Sequence, residues 1–163
     1  MKRICLVAVD IRSIHNVGSF FRTADGFSAE VVLTGITPRP KGGENDDRLP
    51  HVINKSHMAL SKTALGAEDT VQWRYFTDIN DAVYTLRLEG FRIVALEQDI
   101  NSTPITKMSS KDSLAILLGP EVEGLSKDLL ELCDYIYEIP MLGSKESFNV
   151  SIAAGIALYQ YRS

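Results

Sequence analysis

Three short polar stretches hold the residue types that could do chemistry, and each opens a helix just after an apolar run. The first is Asn16–Asp25, NVGSFFRTAD. Its Arg22 points away from the apolar stripe of the helix, where a guanidinium could hold a phosphate or polarise a hydroxyl. Asn16 stands at the helix start, as a capping residue would. The second stretch is Leu117–Ser126, LLGPEVEGLS. Gly119 and Gly124 have the spacing of a phosphate-binding P-loop, but Leu125 stands where that motif needs Lys. A nucleoside triphosphate would lose its main partner there, which excludes an NTPase. Glu121 and Glu123 suit hydroxyl, ammonium or guanidinium partners instead. The third stretch is Ile139–Val150, IPMLGSKESFNV. It puts Ser147 and Asn149 at the head of a very apolar helix, and capping accounts for one of them more easily than for both.

Other chemistries find little support. The chain has no GxGxxG for a dinucleotide. His15, His51 and His57 are not spaced as metal ligands, so no metal is expected. Cys5 and Cys133 stand far apart without a ligand pattern, and read as two reduced thiols of a cytoplasmic protein. No apolar run is long enough to span a membrane, and the apolar start is closed by Asp10 too soon for a signal peptide.

The elements that must position these stretches alternate between strand and helix. Strands are expected at Ile4–Val9, Glu30–Gly35, Thr70–Phe76, Phe91–Glu97, Leu114–Leu118 and Tyr135–Ile139. Helices are expected from Asn16, where Val17, Phe20, Phe21, Ala24 and Phe27 form one face, and at Ser56–Leu65, Ile79–Leu88, Lys127–Leu132 and Ser147–Tyr161. Ser126 is placed to cap the fourth of these helices. The polar, Pro- and Gly-bearing run Thr37–Lys55 is expected to be a functional or mobile loop. One α/β domain over 1–163, a parallel sheet flanked by helices, is the economical arrangement. In it, three polar loops after three strands could share one crevice at the carboxyl edge of the sheet.

The last helix is apolar on most sides. Val150, Ala153, Ala154, Ala157, Leu158 and Tyr161 make one stripe, while Phe148, Ile152, Ile156 and Tyr159 extend it. A helix of that kind must be buried on most sides, which predicts a homodimer with this helix in the interface. The net charge of −4 conceals an asymmetry. Arg12, Arg22, Arg39, Lys41, Arg48, Lys55 and Lys62 all fall in residues 1–62, which are expected to form the basic face for a nucleic acid.

In order and separation, NVGSFFRTAD, LLGPEVEGLS and IPMLGSKESFNVSIAAGIALY resemble the three motifs of the SpoU/TrmH branch of the SPOUT RNA methyltransferases. The resemblance runs from about Ile4 to Tyr159. It implies a sheet whose C-terminal part is threaded into a deep trefoil knot, a dimer, and S-adenosyl-L-methionine as cofactor, held at Leu96, Gly119, Ile139 and Phe148. It implies transfer of a methyl group to a ribose 2′-hydroxyl of tRNA or rRNA. Arg22 is then the residue most tied to the reaction, with Asn16, Glu121, Ser147 and Asn149 on the other active-site positions. Larger family members carry an added RNA-binding domain; without one, the basic first part and the Pro38–Lys55 loop are expected to grip the RNA, across the dimer or with a partner protein. A catalytically silent RNA-binding dimer and a base methyltransferase of the same fold are the alternatives.

Overall fold

A computed structural model describes residues 2–43 and 46–163. Seven strands form one sheet: β1 (Ile4–Val9), β2 (Glu30–Thr34), β3 (Trp73–Phe76), β4 (Arg92–Leu96), β5 (Thr103–Pro104), β6 (Leu114–Leu118) and β7 (Tyr135–Glu138). Their order is β3-β2-β1-β6-β4-β7-β5, and every described pairing is parallel. The helices are α1 (Ile14–Phe27), α2 (Pro50–Ala64), α3 (Ala67–Thr70), α4 (Ile79–Leu88), α5 (Lys127–Glu131) and α6 (Val150–Arg162). None of them is long and apolar enough to cross a membrane.

A parallel strand covered on both faces must be apolar at every position. β1 and β6 meet that demand, with all side chains buried. Ile4, Leu6 and Ala8 face a core built with Phe20 and Phe21 of α1, Leu60 of α2 and Leu158 of α6. Cys5, Val7 and Val9 face the other core, under Leu86 of α4 and Leu129 of α5. Burial pushes the Cys5 thiol far above its ordinary value, so it behaves as an apolar filler. The helix pair α1–α2 crosses closely at Gly18, where a Cβ would press into the Leu60 carbonyl and the Thr63 hydroxyl.

The C-terminal turn of α6 is stapled to the opposite end of the sequence. The Tyr161 hydroxyl lies 3.1 Å from the Arg3 carbonyl and 2.8 Å from that of Asp112, and Arg162 donates to the carbonyls of Phe27 and Ser28.

Several boundaries differ from the sequence expectation. α1 begins at Ile14, and its cap is Ser13, whose hydroxyl accepts the Asn16 N–H at 3.3 Å; Asn16 is therefore inside the helix and its side chain is free for other work. α2 begins at Pro50, six residues early, with proline in the first turn where its missing N–H costs nothing. α6 begins at Val150, capped by Asn149, and Ser147 lies in the preceding loop. The run Thr37–Lys55 is consequently part helix, and much of its described remainder is fastened; positions 44 and 45 lie outside the described residues. Arg39 lies over the Tyr75 ring at 3.9 Å and pairs with Asp47 at 2.8 Å. Arg48 grips Asp46 and the carbonyls of Arg39 and Pro40.

Candidate active site

Ligands of a parallel sheet bind beyond the carboxyl ends of its strands. β1, β6, β4 and β7 are adjacent in the sheet, so the loops that follow them open side by side. Those after β6, β4 and β7 enclose a cleft of about 470 Å³, with the loop after β1 at its edge. Leu96, Gly119, Ile139 and Phe148 all line it, as do Glu121, Ser147 and Asn149. Gly119 has no room for a side chain, because a Cβ would sit 2.7 Å from the backbone of Gly124 and of Leu125. That close approach folds the β6–α5 loop tightly against the end of its own strand.

One hydrogen-bonded line ties the three polar stretches together. The Asn16 amide donates to Glu121 at 2.9 Å, and the Asn149 amide donates to the Asn16 side-chain oxygen at 3.2 Å. Asn149 in turn accepts from the Ser151 N–H and hydroxyl. Both ends of the Asn16 amide are thus committed, and its orientation is fixed by its neighbours. Burial works against ionisation of Glu121, but hydrogen bonds from Asn16 and from backbone N–H groups outweigh it and hold the carboxyl below its ordinary value. Glu121 is therefore a carboxylate at neutral pH. Ser147 lies exposed along the cleft with no hydrogen bond among the described residues.

The cleft is acidic. Glu97, Glu121, Glu123, Glu138 and Glu146 line it, and none of its lining residues is Lys or Arg. Glu97 accepts the Leu125 N–H at 3.0 Å, and Gln98 donates to the Glu146 carbonyl at 2.6 Å, so β4's loop braces both neighbouring loops.

Arg22 is not in this cleft. It lies six residues beyond Asn16, roughly 9 Å along the helix and about two-thirds of a turn around it. It lines a second cavity, of about 310 Å³, between α1, α2 and α6, together with Ser19, Thr23, Lys62 and Thr63. Among the described residues Arg22 forms no hydrogen bond or ion pair, whereas each of the other eight arginines has at least one acceptor.

The fold and the site can now be set beside known proteins. A family model described as the SpoU rRNA Methylase family matches residues 3–159. The chain belongs to that family. The 23S rRNA (guanosine-2′-O-)-methyltransferase RlmB of Coxiella burnetii is 29% identical over 96% of this chain and 57% of its own length. This chain thus spans a little over half the length of that relative. The AdoMet-bound rRNA methyltransferase of Sinorhizobium meliloti superposes with a TM-score of 0.78 at 22% identity, over 98% of this chain and 56% of that one. A structure described as giving insights into the 2-OH methylation of C/U34 on tRNA superposes with a TM-score of 0.71 at 22% identity, over 99% of this chain and 95% of that one.

Within this SpoU-family chain, several site residues escaped the sequence reading. Ser13 caps α1 and offers its N–H to Glu121 at 3.4 Å. Its signal was available, since Ser, three residues before the expected start, is a strong capping type. Glu97 and Glu138 had no motif to mark them, and Glu146, though inside the third stretch, was tied to no role. The basic first part is also not uniform. Arg12 pairs with Glu123 at 3.3 Å, and Arg39 and Arg48 are spent on the Asp46 and Asp47 carboxylates, which leaves Arg22, Lys41, Lys55 and Lys62 without ion pairs among the described residues.

Proposed function

We propose that residues 1–163 act as one methyltransferase domain that moves a methyl group from S-adenosyl-L-methionine to a ribose 2′-hydroxyl of tRNA or rRNA. The observation that carries the reading is the line Glu121–Asn16–Asn149, which draws all three motifs to one cleft edge. The cleft suits the cofactor in shape and sign. Its walls at Leu96, Ile139 and Phe148 are apolar enough for an adenine, and its carboxylates favour a molecule that carries a sulfonium and an ammonium. Bound there, S-adenosylmethionine supplies a methyl group made electrophilic by its positive sulfur.

The chain's own part is alignment. Asn16 and Asn149, fixed by Glu121, present amide groups to the nucleotide at the cleft edge, and the exposed Ser147 hydroxyl adds a donor or acceptor. Arg22, without an acceptor of its own, binds the RNA phosphate and orients the 2′-hydroxyl; a guanidinium stays charged and is a poor base, so it acts by position. It faces away from the cleft of its own chain. A two-fold dimer through α6 brings it to the partner's cleft. Exposure of Ile152 at 55% and Tyr159 at 67%, on a helix whose other side is buried, supports such an interface. A monomeric mass in light scattering at micromolar concentration would sink the dimer. The reading extends to topology, with α6 threaded through the β4–β6 connection as a trefoil knot, consistent with the Tyr161 contact to Asp112 inside that connection.

The test is methyl transfer itself. The protein is incubated with unmodified tRNA and rRNA and labelled S-adenosylmethionine, and the RNA is digested and analysed by mass. A 2′-O-methylated nucleotide is expected. Label in a base, or cofactor binding without transfer to any RNA, would overturn the reading.

A further inference from the structure

The second cavity is chemically the reverse of the cleft. Its lining carries two cations, Arg22 and Lys62, and no carboxylate, in a chain of net charge −4. Neither cation has an acceptor among the described residues, so each brings its full charge to the cavity. Three of the four hydroxyls around them, all but that of Thr23, are already oriented. Ser19 donates to the His15 carbonyl at 2.9 Å, Thr63 to the same carbonyl at 3.0 Å, and Ser151 to Asn149 at 2.6 Å. With those hydrogens committed, Arg22 and Lys62, with the Thr23 hydroxyl beside them, are the main side-chain donors left to a ligand. Two cations without a carboxylate select an anion with several acceptor oxygens. The lining offers two cations and hydroxyls but no amide or carboxylate side chain, so the negative charge of a phosphate is what it complements most directly.

We infer that this cavity holds one backbone phosphate of the RNA, with Lys62 as a positioning residue beside Arg22. The inference rests on the methyltransferase reading and deepens it. Lys62 lies in the last turn of α2 while Arg22 rides on α1, and the Gly18 contact sets the crossing of those two helices. The distance between the charges is thus built into the core. The cavity also borders Ile152 of α6, at the rim of the proposed dimer interface, where a strand of RNA could run from one subunit's phosphate site to the other's cleft.

The probe is a short mixed-sequence single-stranded RNA, and the readout is its affinity for the full chain across a salt series. Removing one phosphate contact by Lys62→Gln should weaken binding about tenfold at low salt and reduce the slope of log affinity against log salt by about one. Lys62→Arg should restore the slope, and S-adenosylmethionine affinity should not move in either variant. The same RNA with neutral methylphosphonate linkages should bind wild type and Lys62→Gln equally. An unchanged RNA affinity and slope in Lys62→Gln would overturn the inference, and so would a parallel loss of cofactor affinity or thermal stability, which marks a structural role. Because the probe requires no methyl transfer, a wild type that binds RNA through Lys62 but never methylates it would sink the functional reading while leaving this site standing.

Discussion

The acidic cleft and the basic cavity share one helix. The first turn of α1 brings Asn16 to the edge of a cleft lined, among the described residues, by five glutamates and no Lys or Arg; its third turn gives Arg22 to a cavity lined by two cations and no carboxylate. The difference teaches that net charge says little about a protein which separates its charges by site. A cationic cofactor and a polyanionic substrate cannot be welcomed by one field. In the proposed assignment each has its own, and the carboxylates that favour the first also repel phosphates from its place.

That division can be broken most directly at Arg22. Arg22→Ala should lower single-turnover methyl transfer by roughly 100-fold or more, as expected for loss of a preorganised charge at the reacting group. Cofactor affinity by calorimetry should stay within a few fold. Were both to fall together, the two sites would not be separate. The complementary change is Gly119→Ala. Its Cβ must displace the backbone of Gly124 or Leu125, a strain of about 1–3 kcal/mol. Calorimetry should show a matching loss of cofactor affinity with RNA affinity intact; unchanged cofactor affinity would mean that the β6–α5 loop does not shape the cleft.

The smallest effect sharpens which cations belong to the RNA side. The Arg48 guanidinium holds the Asp46 carboxyl down at about 2, against an ordinary 3.8. A depressed folded-state value adds stability that is complete above the ordinary value and is lost as pH falls toward about 2. Asp46→Asn should therefore cost about 1–2 kcal/mol in denaturant unfolding at neutral pH, with RNA affinity unchanged. A marked gain of RNA affinity, from cations freed of their carboxylate, would return Arg39 and Arg48 to the binding surface.

The sequence was most readable where burial alone decides the residue type. The bounds of β1, α4 and β6 follow from apolar runs or periodic faces covered by neighbours. β5 was not readable, because two residues at a sheet edge, Thr103 and Pro104, carry no pattern. The start of α2 hid because Pro50-His51-Val52 has no apolar face to bury. In the site, the positions of the second and third stretches around the cleft were legible as a set, and so was the idea of polar loops after separate strands converging, with the first stretch reaching the cleft edge. The separate seat of Arg22 was not. Helical spacing tells which way a side chain leaves its own axis, but it cannot tell that α2 and α6 will wall off that direction. Nor can a count of positive charges distinguish Arg39, stacked on Tyr75 and paired with Asp47, from Arg22, which has no such partner among the described residues.

The central place of β6 has a consequence for synthesis. β1 and β2 emerge first, but the strand that covers the other edge of β1 begins only at Leu114, after the 79 residues 35–113. At roughly 5–20 residues per second, a ribosome needs about 4–16 s to supply them. Through that interval one side of an entirely apolar strand has no partner from its own chain, and β3-β2-β1 waits for a single five-residue wedge to join it to β4; β7, and β5 with it, can be added only afterwards. The nascent protein is most exposed to aggregation in those seconds.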